Sequence, residues 1–237
     1  MKYSIVIPTK NEEETLREVL KNIVGLTDDV FIVDGHSTDR TLEIAKEFNV
    51  KYYLDNKLGK GDAIRLSLTK SKYPITVFID ADGSHDHNDI VKLVKPIHED
   101  KFDLVIASRM LGGSDELFGT FSEVIRLIGS LVISLSINYR FGIRLTDYQN
   151  GFRAIRTEVG KSINLKSNST TIEQEMAMKC FHNNFRVGEV PSHEYKRKGG
   201  VSKISVWKVS HIYIWSLLRG IFTIRKKKQK LTNFLDE

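Results

Sequence analysis

Five short apolar, β-branched runs punctuate the first 106 residues, at 5–7, 30–33, 52–54, 77–79 and 104–106. Each gives way to a polar turn and then to a stretch with the apolar spacing of a helix. Strand and helix in alternation call for a mostly parallel sheet with helices on both faces. Open α/β sheets of this kind hold ligands in the crevice beyond the carboxyl ends of their strands. The fourth run is the most pointed, because Ile75-Thr-Val-Phe-Ile-Asp80-Ala-Asp82 stops at two carboxylates. Asp-Ala-Asp-Gly is also good turn chemistry, so on these residues alone a plain turn and a divalent-metal site handling a phosphate are equally open.

A chain of 237 residues with 41% apolar content can bury one substantial core. No repeat, low-complexity tract or Pro/Gly-rich linker divides it. The expected organisation is one domain over residues 1–203 followed by an amphipathic helix and basic tail over 204–237. The single cysteine, Cys180, excludes an internal disulfide and fits a reducing compartment. Tyr3-Ser-Ile-Val-Ile-Pro8 enters a strand pattern with no charged leader or cleavage site before it, so a cytoplasmic location is expected. Net charge is +6, but residues 193–237 hold eleven Lys/Arg against three Asp/Glu, whereas the rest is nearly neutral. That asymmetry points to a polyanionic surface, either lipid headgroups or nucleic acid.

Helix starts are marked by Asn11 before Glu12-Glu-Glu14 and by Thr38-Asp39 before Leu42. Residues 121–141 read as an apolar helix. Its core, 124–137, contains Arg126 and is shorter than the roughly 20 residues of a membrane span, so a buried helix is expected. Residues 204–224 are long enough but carry Lys208, His211 and Arg219 on one stripe, with Trp207, Ile214, Trp215, Leu218, Ile221 and Phe222 largely away from it. Followed by Arg225-Lys-Lys-Lys228 and Lys230, this reads as an interfacial helix with a polybasic end on an anionic membrane surface. The alternative is a helix packed on the domain with a solvated tail.

Several strand ends lead into polar loops suited to a nucleotide: Pro8-Thr-Lys-Asn-Glu12, Asp34-Gly-His-Ser-Thr-Asp39, and Gly59-Lys-Gly61 opening a helix. Each is ordinary turn chemistry alone, and their order is what is specific. With Asp80-Ala-Asp82, Ser108-Arg109, Asp147-Tyr-Gln-Asn-Gly-Phe-Arg153 and Arg197-Lys-Gly-Gly-Val-Ser-Lys203, the chain resembles glycosyltransferase family 2 with its GT-A fold. Within it, the resemblance over residues 3–203 is to the dolichyl- and polyprenyl-phosphate hexosyltransferases.

The resemblance implies an inverting transfer of a hexose from a nucleotide sugar, GDP-mannose or UDP-glucose, to dolichyl or another polyprenyl phosphate. It places Pro8, Thr9, Asn11, Glu12, Asp34, Lys60, Asp80 and Ala81 at the donor nucleotide. Asp82 becomes the metal ligand, with Asp80 its partner and Ser84 a third position, for Mg²⁺ or Mn²⁺. Arg109 and Arg197, with Ser202, become acceptor-phosphate ligands, and Lys203 helps close the site. Asp82, Arg109, Arg197 and Lys203 are thus the expected catalytic set. Two departures stand out: Gly35 follows Asp34 where relatives often have a second acid, and Ser84 stands where many mannosyltransferases have Gln.

The residues themselves leave some roles open. Arg153 is either a further phosphate cation or a structural partner of Asp147. His85, Asp86 and His87 read as a helix start. Glu173 and Glu175 read as capping acids, with Glu175 also at a position the family often keeps acidic. A soluble or glycan acceptor is the rival within the family, and a nucleic-acid-binding module or a non-catalytic domain the rivals outside it. Nucleic acid is not the expected partner.

Overall fold

The computed structural model describes residues 1–116, 120–197, 199 and 206–223. In chain order the elements are β1 (Ser4–Thr9), α1 (Leu16–Ile23), β2 (Val30–Asp34), α2 (Thr41–Glu47), β3 (Lys51–Leu54), α3 (Lys60–Lys70), β4 (Ile75–Phe78), α4 (Ile90–His98), β5 (Leu104–Ser108) and α5 (Arg109–Gly112). They continue with α6 (Phe121–Phe141), β6 (Arg153–Arg156), α7 (Thr157–Ser162), α8 (Ile172–His182), β7 (Val187–Pro191) and α9 (Val206–Thr223). A single 3₁₀ turn, His87–Asp89, precedes α4.

The seven strands form one sheet in the order β3-β2-β1-β4-β6-β5-β7. All pairings are parallel except those of β6, which runs antiparallel to both β4 and β5. Because strand side chains alternate between faces, the apolar runs feed two cores. Val6, Phe31, Val33, Phe78, Leu104 and Ile106 face the layer of α3, α6 and α8. Ile5, Ile7, Ile32, Val77, Val105 and Ala107 face α1 and α4. Strands buried on both faces read as continuous apolar runs, which is why β1, β2, β4 and β5 were visible in the sequence, whereas β3 is a largely exposed edge strand.

Local details differ from expectation. Asn11 does not cap α1, whose N-cap is Thr15. It sits instead at φ 54°, accepting from the Thr38 backbone N–H at 2.8 Å and donating its own N–H to Ser37 Oγ at 2.8 Å, so it ties the loop after β1 to the loop after β2. Strands β6 and β7 were not read from the sequence. The helix at 121–141 forms as expected, with Thr120 and Glu123 making a reciprocal capping box, but it is not a buried helix. Ile133, Ile137 and Phe141 reach the core, whereas Phe121 (80%), Leu135 (66%) and Tyr139 (92%) are largely exposed. The stretch Glu123–Phe141 has a mean hydropathy of 1.3, is long and apolar enough to cross a membrane, and is only 28% buried. Helix α9 packs against α6 and α8, burying Leu217 and leaving Ile214, Trp215 (68%) and Leu218 exposed. Residues 225–230 lie outside the described residues.

Candidate active site

The carboxyl ends of β1, β2, β4, β5 and β7 and the segment entering β6 converge on one cleft of about 990 Å³. Pro8, Thr9, Asn11, Glu12, Lys60, Asp80, Ala81, Asp82, Ser84, Arg109 and Arg197 all line it, as the sequence reading expected. Asp34 does not. It is fully buried, its carboxylate taken by Thr9 Oγ1 at 2.9 Å and by the Ser37 N–H at 2.7 Å. It fixes the shape of the loops after β1 and β2, and Gly35 occupies the lining position beside it.

The Gly-Lys-Gly segment opens α3 as anticipated, with Gly59 at φ 106°. A Cβ on Gly61 would lie 2.0 Å from the Ser167 carbonyl oxygen, and the Gly61 N–H donates to the Asn168 carbonyl at 3.0 Å. This close approach aims Lys60 into the cleft. Its ammonium lies 2.8 Å from Asp80 Oδ1 and 2.9 Å from Glu173 Oε1. Burial disfavours both charges, but the pairing prevails: Asp80 is held well below the usual carboxylate range by Lys60 and His85, and Lys60 is raised by Asp80 and Glu173. Gly151 lets the Asp147–Arg153 motif close over this pair, since a Cβ there would meet Asp80 Oδ2 at 2.5 Å.

Asp82 stands two residues on. Ser84 donates to Asp82 Oδ1 from its N–H at 3.1 Å and its hydroxyl at 2.7 Å, while Arg197 Nη2 faces Asp82 Oδ2 at 3.4 Å. Ser84 is thus engaged in orienting Asp82. Asp86 caps the 3₁₀ turn by accepting from the Asn88 N–H, in line with a helix start, but His85 lines the cleft, 3.5 Å from Asp80 Oδ2. Among the described residues no group of three or more His, Cys, Asp or Glu is arranged to hold a metal by itself.

The cations are more constrained than the sequence suggested. Arg109 makes a two-pronged contact with fully buried Asp147, at 2.6 Å from Nε and 3.0 Å from Nη2, and its Nη1 is 3.3 Å from Glu194. Burial raises the Asp147 carboxyl but Arg109 draws it below the usual range. Arg197 Nε donates to Glu116 at 3.2 Å. Arg153 is not Asp147's partner: fully buried, it donates to the carbonyls of Asn150, Tyr148 and Glu173 and so pins the motif to the start of α8. Glu175 lies off the cleft, accepting from the N–H groups of Lys166 and Ser167 and pairing with Lys179 at 2.8 Å. Ser202 and Lys203 lie outside the described residues.

Among the lining residues that sequence reasoning missed are four charged ones. Glu116 and Glu194 sit in irregular segments without a local pattern, and Glu173 looked like a cap. Arg126 was visible only as a charge interrupting an apolar helix. Its Nη2 donates to the Glu116 carbonyl at 2.8 Å, and its buried Nε has no hydrogen-bond partner among the described residues. Beyond it the cleft becomes an apolar trough of Ile125, Val132, Ile133, Ile214 and Leu217 between α6 and α9.

Paired acids at a strand end, cations across from them and an apolar extension form an arrangement able to hold anionic groups beside an apolar one. Comparison with known proteins gives the family. The chain is 30% identical over 236 residues to a dolichol-phosphate mannosyltransferase of Pyrococcus furiosus, covering 95% of this chain and 64% of the relative, and so spans just under two thirds of it. It is 26% identical over 204 residues to a dolichyl-phosphate hexose transferase of Haloferax volcanii, covering 85% and 86%. Among solved structures, glucosyl-3-phosphoglycerate synthase from Mycobacterium tuberculosis, in complex with Mn²⁺, UDP-glucose and phosphoglyceric acid, superposes with a TM-score of 0.74 at 23% identity, over 99% of this chain and 84% of that one. The sequence profile described as Glycosyl transferase family 2 matches residues 4–163, and with the GT-A arrangement of sheet and strand-end acids in place, the chain belongs to glycosyltransferase family 2.

Proposed function

We propose that the protein transfers a hexose, with inversion, from GDP-mannose or UDP-glucose to dolichyl or another polyprenyl phosphate at the cytoplasmic face of a membrane. The observation that carries this reading is the two-ended cleft, polar at Asp80 and Asp82 and apolar in the trough between α6 and α9. The outer faces of these two helices are exposed and apolar. A lipid phosphate is the acceptor that uses both ends, and the two dolichyl-phosphate relatives support it.

Asp80 and Asp82 suit Mg²⁺ or Mn²⁺: both offer hard carboxylate oxygens from one turn, and Asp82 Oδ2 is 3.4 Å from Arg197, beyond a good hydrogen bond. These two carboxylates would hold the ion from the protein side, leaving its other positions to a bound diphosphate and water. The ion, when bound, offsets the charge of the departing nucleoside diphosphate. Lys60 keeps Asp80 ionised, and Ser84 orients Asp82.

A phosphomonoester acceptor has its second pKa near ~6 and is already an anion at neutral pH, so a general base is unnecessary. The chain's task is to hold two anions together with fixed cations. Arg109, Arg126 and Arg197 line the cleft and supply that charge, each also held by an acid: Arg109 by Asp147 and Glu194, Arg126 and Arg197 by Glu116. Arg126 in addition has an unpartnered Nε among the described residues. Lys203 and Ser202 join them by family resemblance. The apolar faces of α6 and α9, with the basic run at 225–230, seat the cleft mouth on an anionic bilayer.

The test is a donor panel of GDP-mannose and UDP-glucose with a short polyprenyl phosphate, with and without Mn²⁺, and with 3-phosphoglycerate as a soluble control. Metal-dependent formation of a lipid-linked hexose is expected. Transfer to the soluble acceptor alone, or to neither, overturns the reading.

A further inference from the structure

Glu173 is the least explained group in the cleft. It stands in the first turn of α8, is only 4% exposed, and lines the same wall as Lys60, Asp80, Gly151 and Tyr213. Its Oε1 pairs with Lys60, yet its Oε2 is buried with no hydrogen-bond partner among the described residues. A counterion role for Lys60 does not account for it. Lys60 already has Asp80 at 2.8 Å, and the buried Arg153 guanidinium adds a nearby positive charge but donates to the Glu173 backbone carbonyl, not to Oε2. A buried carboxylate oxygen without a donor is costly, and native proteins retain such groups where a ligand supplies what is missing.

The position indicates which ligand. Lys60 bridges Asp80 and Glu173 through a single ammonium, so Glu173 sits one step along the wall from the acids that suit the donor diphosphate. The next part of a nucleotide sugar beyond its diphosphate is the sugar ring, whose hydroxyls are neutral donors. The apolar side chains of the trough, Ile125, Val132, Ile133, Ile214 and Leu217, offer hydroxyls no partner.

We infer that Glu173 reads the donor sugar, its Oε2 accepting a hydrogen bond from one hexose hydroxyl while Lys60 holds the carboxylate in place. The inference rests on the proposed nucleotide-sugar reading and adds a specificity-determining contact to it. A site built to bond a substrate hydroxyl discriminates strongly against an analogue lacking it, because the buried partner is then left unpaired.

Calorimetric titration in Mg²⁺ tests this, using UDP, GDP, UDP-glucose, GDP-mannose and the 2-, 3-, 4- and 6-deoxy sugar forms of the preferred donor. The titrations compare wild type with Glu173→Gln, and with Glu173→Asp should the first variant fail to fold. The expected result is nucleoside-diphosphate affinity within about threefold of wild type and nucleotide-sugar affinity lowered by about tenfold or more. One deoxy donor should also bind wild type about tenfold more weakly than the parent while the variant no longer distinguishes the two. The inference is overturned if the variant loses nucleotide and nucleotide sugar equally, or if wild type and variant respond alike to every deoxy donor. If wild type binds neither nucleotide sugar, the proposed function itself falls and this contact with it.

Discussion

Asp147→Asn keeps the shape of a side chain while deleting the charge that faces Arg109. Asp147 is fully buried and accepts from Arg109 Nε at 2.6 Å and Nη2 at 3.0 Å, and from the N–H groups of Gln149 at 3.1 Å and Asn150 at 3.2 Å. Removing one member of a buried pair costs about 3–5 kcal/mol, because the remaining charge stays buried without compensation. Glu194, 3.3 Å from Arg109 Nη1, survives as a partial partner, which sets the loss near the lower bound, about 3 kcal/mol. For a chain of this length each kcal/mol moves Tm by about 2–4 °C, so thermal unfolding followed by circular dichroism at pH 7 should show a fall of about 6–12 °C. The double variant Arg109→Gln/Asp147→Asn should be less destabilised than the sum of the singles. A single variant melting within about 2 °C of wild type would refute the claim that this pair holds the motif together.

Four further outcomes are expected. Asp82→Ala should lower metal-dependent transfer by about a hundredfold or more, the rate equivalent of about 3 kcal/mol, with Tm unchanged; wild-type turnover would remove Asp82 from the metal. Asp80 and Asp147 titrate lower when folded than when unfolded, so their stabilisation is complete above the unfolded carboxylate pKa of about 3.9 and is lost as pH falls further. Melting temperature should hold from pH 7 to about 5 and drop below about 4, and a steep decline already above pH 5 would contradict this. Leu135→Asp with Trp215→Asp, both at exposed positions, should abolish co-sedimentation with anionic vesicles without lowering Tm, and full retention would remove the α6/α9 face from membrane contact. Gly61→Ala, whose Cβ would collide with the Ser167 carbonyl, should cost about 1–3 kcal/mol in urea denaturation; a neutral result would mean that the 167–168 loop yields freely.

What the sequence disclosed and what it hid have physical causes. Strands β1, β2, β4 and β5 were legible because burial on both faces gives each a central apolar run, and the edge strand β3, with Tyr52 and Leu54 exposed, because its residues 52–54 are aromatic and apolar. Strand β6, Arg153-Ala-Ile-Arg156, has a charge at each end, and β7, Val187-Gly-Glu-Val-Pro191, contains Gly and Pro; both carry little of the usual strand signal. Composition identified the helix at 121–141 but not its exposure, since an apolar face looks the same whether it meets a core or a lipid. The strand-end acids Asp80 and Asp82 were legible from their order along the chain, and both line the cleft. Glu173 and Arg126 were not, because their importance arises from contacts with segments distant in sequence or in another element: Lys60 for the first, Glu116 for the second. Asp34 shows the converse, a motif residue whose position was correct while its carboxylate is consumed in building the loop.

The reversed direction of β6 divides the molecule into a chemical end and a quiet one. A strand running backwards delivers to the crevice the residues that precede it, which is how Gln149, Asn150 and Gly151 reach the cleft. Residues at its far end are carried to the opposite rim, where the Thr157 N–H donates to the Pro74 carbonyl at 2.9 Å and Arg156 pairs with Asp103 at 3.0 Å. Helix α7 begins there, with Glu158 and Lys161 pointing into solvent. A fluorophore or surface tether at either position sits across the sheet from the acids, so the enzyme can be labelled or immobilised with its cleft unobstructed.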